Sequence, residues 1–251
     1  MESGSRARTM VGQERFRAVV GDYPRVHANH ALNRENLYWG PARVDSSVLK
    51  RVLGRLHDTT PDYYQGHVED STYWWGDLCA RHIQYVRNLT FSEVNVLRVN
   101  PSMPYKDPSR PLVPWWFSAS DAEDAEAFCR LISSTRQRQL ERERGVCIVA
   151  THFGKGFVRG GRVLPEVTER LEMLAARPGW FPTVGALLDW MLAQRQDVGL
   201  PAREWRRMQR RWARDLVLRK GRELLQRHVL DRCRGRMPAE SKRTVAGGCP
   251  S

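Results

Sequence analysis

The order of apolar runs over residues 146–192 constrains the fold more than any other feature of the chain. VCIVATH is a continuous apolar run closed by Thr151 and His152, the pattern of a strand buried on both faces. A glycine-rich loop over residues 153–163 separates it from PEVTERLEMLAA, which reads as a helix. WFPTV then reads as a short strand and GALLDWMLAQ as a further helix. Strand, loop, helix, strand, helix at this spacing is the pattern of a parallel-sheet α/β protein, in which ligands bind beyond the carboxyl ends of the strands. His152 falls at such an end.

Upstream, residues 1–22 read as a flexible lead-in, and residues 24–40 as a short strand running into a polar, aromatic-rich loop. Ser46 and Ser47 cap a short helix, and a second helix is expected from about Ser71 to Tyr85. VRNLTF, EVNVLRVNP and WWFSAS read as strands. Ser120 and Glu123 form a capping box for a helix over residues 121–143, which Gly145 ends. The expected organisation is a lead-in (1–22), an α/β body (23–192), a basic helix (193–235) and a disordered tail (236–251).

Charge separates the last part from the body. The whole chain carries +13, but residues 193–251 hold 16 Lys and Arg against 6 Asp and Glu. After Pro201, the residues Trp205, Met208, Trp212 and Leu216 recur every three or four positions among arginines, the pattern of a basic amphipathic helix. That helix has two readings. Either it contacts an anionic polymer or membrane surface through residues 201–230, or its apolar stripe docks on the body and its arginines are solvated. Nucleic acid is not an expected partner, because no recognised module surrounds the stripe. No apolar run is long enough to span a bilayer, no secretory signal opens the chain, and the five cysteines include no CxxC pair, so a cytoplasmic address is expected.

Three constellations carry potential chemistry. His27 and His30 are candidate ligands for a divalent metal such as zinc, or alternatively hydrogen-bond to loop backbone. His152 with Lys155, at the exit of a strand, offers a proton-transfer group beside a cation that suits an anionic substrate, or else His152 is a hydrogen-bonded core histidine at a strand end. Neither GxxxxGK[ST] nor GxGxxG occurs there, so no nucleotide loop is inferred. Trp39, Trp74, Trp75 and Trp116 are candidate sugar-stacking platforms, or else core filler, with Asn29, Arg34 and Glu35 as polar partners and Asp77 and Glu35 as the neighbouring acids.

VHANHALNRENLYWG, STYWWGDLCARHIQYV, CIVATHFGKGF and GWFPTVGALLDWM, taken in order over residues 24–192, resemble the distal part of the polysaccharide deacetylase-like (NodB-homology) proteins. The resemblance implies a partial or distorted (β/α) barrel of that type with the basic amphipathic helix appended at its C-terminus. It also implies a general-acid role for His152; Asp77 is a candidate catalytic residue by its own place beside the aromatic cluster. The family's adjacent Asp pair is missing, and His27 and His30 stand one residue short of its H-xxx-H spacing. The expected function is a carbohydrate-active, deacetylase-like protein acting on or binding a bacterial polysaccharide or glycan precursor, catalytically incomplete for want of that Asp pair. The alternative is a noncatalytic glycan- or partner-binding protein.

Overall fold

The computed structural model describes residues 4–30, 32–57, 62–195 and 199–235. Two compact units divide the chain, residues 1–212 and residues 213–251. The first is a mixed α/β body built on four parallel strands in the order β1 (Val26–Ala28), β2 (Tyr85–Phe91), β3 (Trp115–Asp121) and β4 (Val149–Ala150). Val26 pairs with Tyr85 and Tyr85 with Trp115, while Ser120 pairs with Val149. The sheet curls into a half-barrel. Strand order in the sheet follows chain order, so the crossovers all run one way and the carboxyl ends gather on one side.

Helices and loops fill the intervals: α1 (Arg6–Val20), α2 (Ser47–His57), α3 (Gly76–His82), α4 (Ala125–Leu131), α5 (Ser134–Arg142), α6 (Pro165–Ala175) and α7 (Val184–Ala193). A hairpin of β5 (Val158–Arg159) and β6 (Arg162–Val163) occupies the glycine-rich loop, turning on Gly160 and Gly161, both left-handed at φ 58° and 74°. One core lies under β2 and β3, where Trp116, Tyr85, Phe91 and Leu89 are buried with Tyr105. A second joins α4 to α6 through Phe128, Leu131, Phe157 and Val167.

Several local expectations are corrected. Residues 6–20 are helical rather than a loose lead-in, and Arg6 ties α1 to the body through Asp77. The helix expected from Ser71 begins only at Gly76. Ser71 Oγ accepts the Tyr73 N–H at 3.1 Å and Trp75 donates its indole N–H to the Glu35 carbonyl, so the preceding backbone is committed to a turn. EVNVLRVNP is no strand, because Asn95 Oδ1 accepts the Leu97 and Val146 N–H groups and closes a short 3-10 turn. Ser120 stays in β3, and Asp124 caps α4 instead by accepting the Ala127 N–H at 2.8 Å. The helix expected over 121–143 is two helices, α4 and α5. WFPTV holds no strand; Thr183 caps α7 immediately after Pro182. β4 keeps only Val149 and Ala150, both half-buried rather than buried on two faces.

The last helix, α8 (Ala202–Gly235), crosses from the first unit into the second. Within the first unit Trp205, Met208 and Trp212 are buried while Arg203, Arg206, Arg207 and Arg210 are exposed. Arg43 lies between the Trp39 and Trp212 rings, at 3.9 and 4.3 Å from their centroids, and Gln209 accepts the Asp45 N–H. The docked stripe thus fixes the register of this segment against the body. The expected tail, residues 236–251, lies outside the described residues, as does side-chain detail beyond Gly221.

Candidate functional site

The carboxyl ends of the four strands bring together residues far apart in sequence. His30 follows β1 and His152 follows β4, on opposite edges of the sheet, yet their rings meet edge to face with centroids 5.0 Å apart. Curling of the sheet is what closes that gap. Arg87 rises from β2 between them and donates Nη2 to the Asn29 carbonyl at 2.8 Å. Its buried Nε has no hydrogen-bond partner. Asp121 ends β3 and offsets part of the cost of burying that guanidinium. Lys155 pairs with Glu123 at the rim, and its backbone N–H closes a turn onto the His152 carbonyl.

These neighbours set the protonation of His152. Burial, then the charges of Lys155 and His30, hold its imidazole below the ordinary histidine value, with Glu123 pulling the other way. His152 is therefore neutral near pH 7 and suited to accept a proton. The half-exposed Lys155–Glu123 pair supplies orientation more than energy.

No protein family, curated protein or solved structure matches the chain.

The other residues singled out in the sequence are dispersed. His27 turns away from His30: its Nε2 is 3.3 Å from Asn29 Oδ1, its ring lies 4.9 Å from Trp75, and burial pushes its pKa down to about 4. Asn29 is consumed in structure, since its amide donates to and accepts from the backbone of Leu37. Asp77 sits at the start of α3 in a two-pronged ion pair with Arg6, which holds its carboxyl below the usual carboxylate range. Trp39, Trp75 and Trp116 are buried, and a buried indole has no face open to a sugar; Trp74 is half-buried against Gly76. Arg34 lies over the rings of Tyr73 and Tyr63, and the Glu35 carboxyl stands beside Gly4. Of the candidates, His30, His152 and Lys155 converge; Asn29 and Trp75 brace the loop that carries His30, while Asp77 is engaged with Arg6 and Trp116 lies in β3.

Arg87 and Asp121 were missed by sequence reasoning. Their signal was present: each is a charged residue in a strand that also carries large apolar side chains, and burying a charge is costly unless it has a partner.

Among the described residues no group of three or more His, Cys, Asp or Glu side chains is placed to hold an ion. His27 diverges, leaving His30 and His152 as two imidazoles against the three protein ligands usual in a catalytic zinc site.

His67 provides a pH test of the loop packing. Its Nδ1 accepts the Tyr38 N–H at 3.2 Å, its ring lies tilted against Tyr38 with centroids 4.3 Å apart, and burial with the Arg110 charge lowers its pKa to about 4. Between pH 6.5 and 4 the unfolded chain binds a proton that the folded chain refuses, so this contribution to stability is complete above pH 6.5 and is lost as pH falls. Urea titration should show the wild type losing about 2 kcal/mol more than His67→Gln between pH 7 and pH 4.5. Equal losses would show that His67 is not held neutral.

Proposed function

We propose that the mouth formed by His30, Arg87, Asp121, His152 and Lys155 is a hydrolytic glycan site, and that the chain is a carbohydrate-active protein of the polysaccharide deacetylase-like type. The substrate class is a bacterial polysaccharide or glycan precursor bearing acetyl groups. The observation that carries this reading is the meeting of His30 and His152 above a half-buried arginine, Arg87, at the carboxyl ends of parallel strands. In this reading neutral His152 takes a proton from the water that attacks the acetyl carbonyl. The C–N or C–O bond of the tetrahedral intermediate then breaks, and His152 returns the proton to the leaving nitrogen or oxygen as acetate departs. Arg87 supplies positive charge for the oxyanion, and Lys155 orients the chain at the rim.

Acetate release from N-acetylglucosamine oligomers and from O-acetylated glycans tests the reading, with and without added zinc. Release that depends on the protein supports it; a folded sample that neither releases acetate nor binds these glycans removes it.

A second reading is a noncatalytic binding protein acting through α8. It is favoured by the exposed row Arg203, Arg206, Arg207 and Arg210, whose opposite face is already docked. Salt-sensitive retention on an anionic polymer, abolished by replacing these four arginines with glutamine, is its signature. No helix among the described residues is long and apolar enough to cross a membrane.

A further inference from the structure

A cavity of about 660 Å³ lies between the start of β4, α5, the end of α6 and the segment leading into α7. None of His30, Arg87, Asp121, His152 and Lys155 lines it, so it is separate from the mouth. Its size is that of a small-molecule site, for which volumes run from about 300 to 1,000 Å³. Aliphatic side chains of Leu140, Ile148, Leu174 and Leu187 line it, with Trp180, Phe181 and Trp190 also in its wall. Those three aromatics are 58%, 60% and 52% exposed, and Trp180 and Trp190 meet edge to face. Exposed aromatics grouped on a cavity mark a surface that a ligand covers.

The polar groups in the wall narrow the class of ligand. Arg177 donates to Gln137 and to Glu141, at 2.8 and 3.0 Å, and Gln137 in turn donates to the carbonyls of Ile132 and Arg170. These groups are largely engaged with one another, so that part of the wall offers a ligand mainly apolar contact. Arg144 differs. It lines the same cavity, is exposed, and its guanidinium has no hydrogen-bond or ion-pair partner among the described residues. It also occupies the left-handed region at φ 46°, which a glycine would hold with less strain.

We infer that this cavity binds a single-chain amphiphile with an anionic head, its hydrocarbon tail among Leu140, Leu174 and Leu187 and its head paired with Arg144. The inference is independent of the glycan reading and concerns a second site.

Decanoate below its micellar concentration and decan-1-ol are the probes, titrated calorimetrically into the full chain. The wild type should bind decanoate at least about fivefold more tightly than the alcohol, the value of one charge-assisted contact at a half-open rim. Arg144→Gln should remove that preference and leave alcohol binding unchanged. Leu174→Trp, which fills the cavity, should abolish binding of both while circular dichroism stays native; if this variant misfolds, Arg144→Gln still decides. Equal affinity of the wild type for both probes, or an Arg144→Gln protein that keeps the preference, would overturn the assignment. So would co-sedimentation with phosphatidylglycerol vesicles in the absence of decanoate binding, which would make the aromatic rim a membrane contact.

Discussion

Gly66→Ala is expected to lower the midpoint of thermal unfolding by at least about 10 °C, corresponding to a loss of about 4 kcal/mol or more for a body of this size. The cause is backbone against backbone. A Cβ at residue 66 would stand 1.9 Å from the Glu35 carbonyl oxygen and 2.9 Å from the Trp75 indole nitrogen, and neither belongs to a flexible side-chain end. The same short segment carries the ladder that joins the two loops: Gln65 N–H to the Arg34 carbonyl, Gly66 N–H to Asn36, and Trp75 N–H to Gly66. Moving any of these to admit a methyl group breaks the others. The damage extends to the mouth, because Asn36 holds the backbone of His30 through its side-chain amide. Gly12→Ala in α1 is the control. Nothing lies within 4 Å of a Cβ there and the position is helical, so that change should be neutral or stabilising by up to about 1 kcal/mol. Thermal unfolding followed by circular dichroism compares the two; a shift below about 2 °C for Gly66→Ala would contradict the packing described.

What the sequence made legible follows periodicity. α6, α7, β2 and β3 have clear apolar patterns and stand within a few residues of where those patterns place them. Several of the failures share a cause, a polar side chain that bonds to the backbone and outbids the local pattern. Asn95 turns a β-like run into a 3-10 turn, and Asp124 rather than Ser120 starts a helix, because Ser120 is held in the sheet by its pairing with Val149. Such choices depend on a partner distant in sequence. The candidate site was legible to the same extent. His152 and Lys155 were found by the rule for strand ends, and His30 by residue type. That His30 and His152 meet depends on the curl of the sheet, which no local pattern encodes. The tryptophans illustrate the converse. Trp39, Trp75 and Trp116 drew attention as sugar platforms by composition, but each is buried where a large apolar side chain is required, and Trp39 is covered by Arg43.

On a glycan that the wild type deacetylates, His152→Gln is expected to lower kcat/KM at least about 100-fold, the scale of removing a general base from its transition state. Glutamine preserves a polar side chain but cannot exchange the proton, so circular dichroism and thermal unfolding should change little at this half-buried position. The pH profile separates a proton-transfer role from a structural one. The imidazole must be neutral to act, and burial, Lys155 and His30 all hold its pKa below the ordinary value. Wild-type activity should therefore persist below pH 6.5 and fall only as pH drops through this lowered pKa. Removing a positive neighbour has a predictable sign. Lys155→Ala takes away a charge that disfavours imidazolium and leaves Glu123, which favours it, so the acidic limb should move to higher pH while activity on its plateau falls less than in His152→Gln. A His152→Gln protein within about threefold of wild type, or an acidic limb that Lys155→Ala leaves in place, would transfer the proton-accepting role to His30, the one other imidazole in contact at this mouth among the described residues.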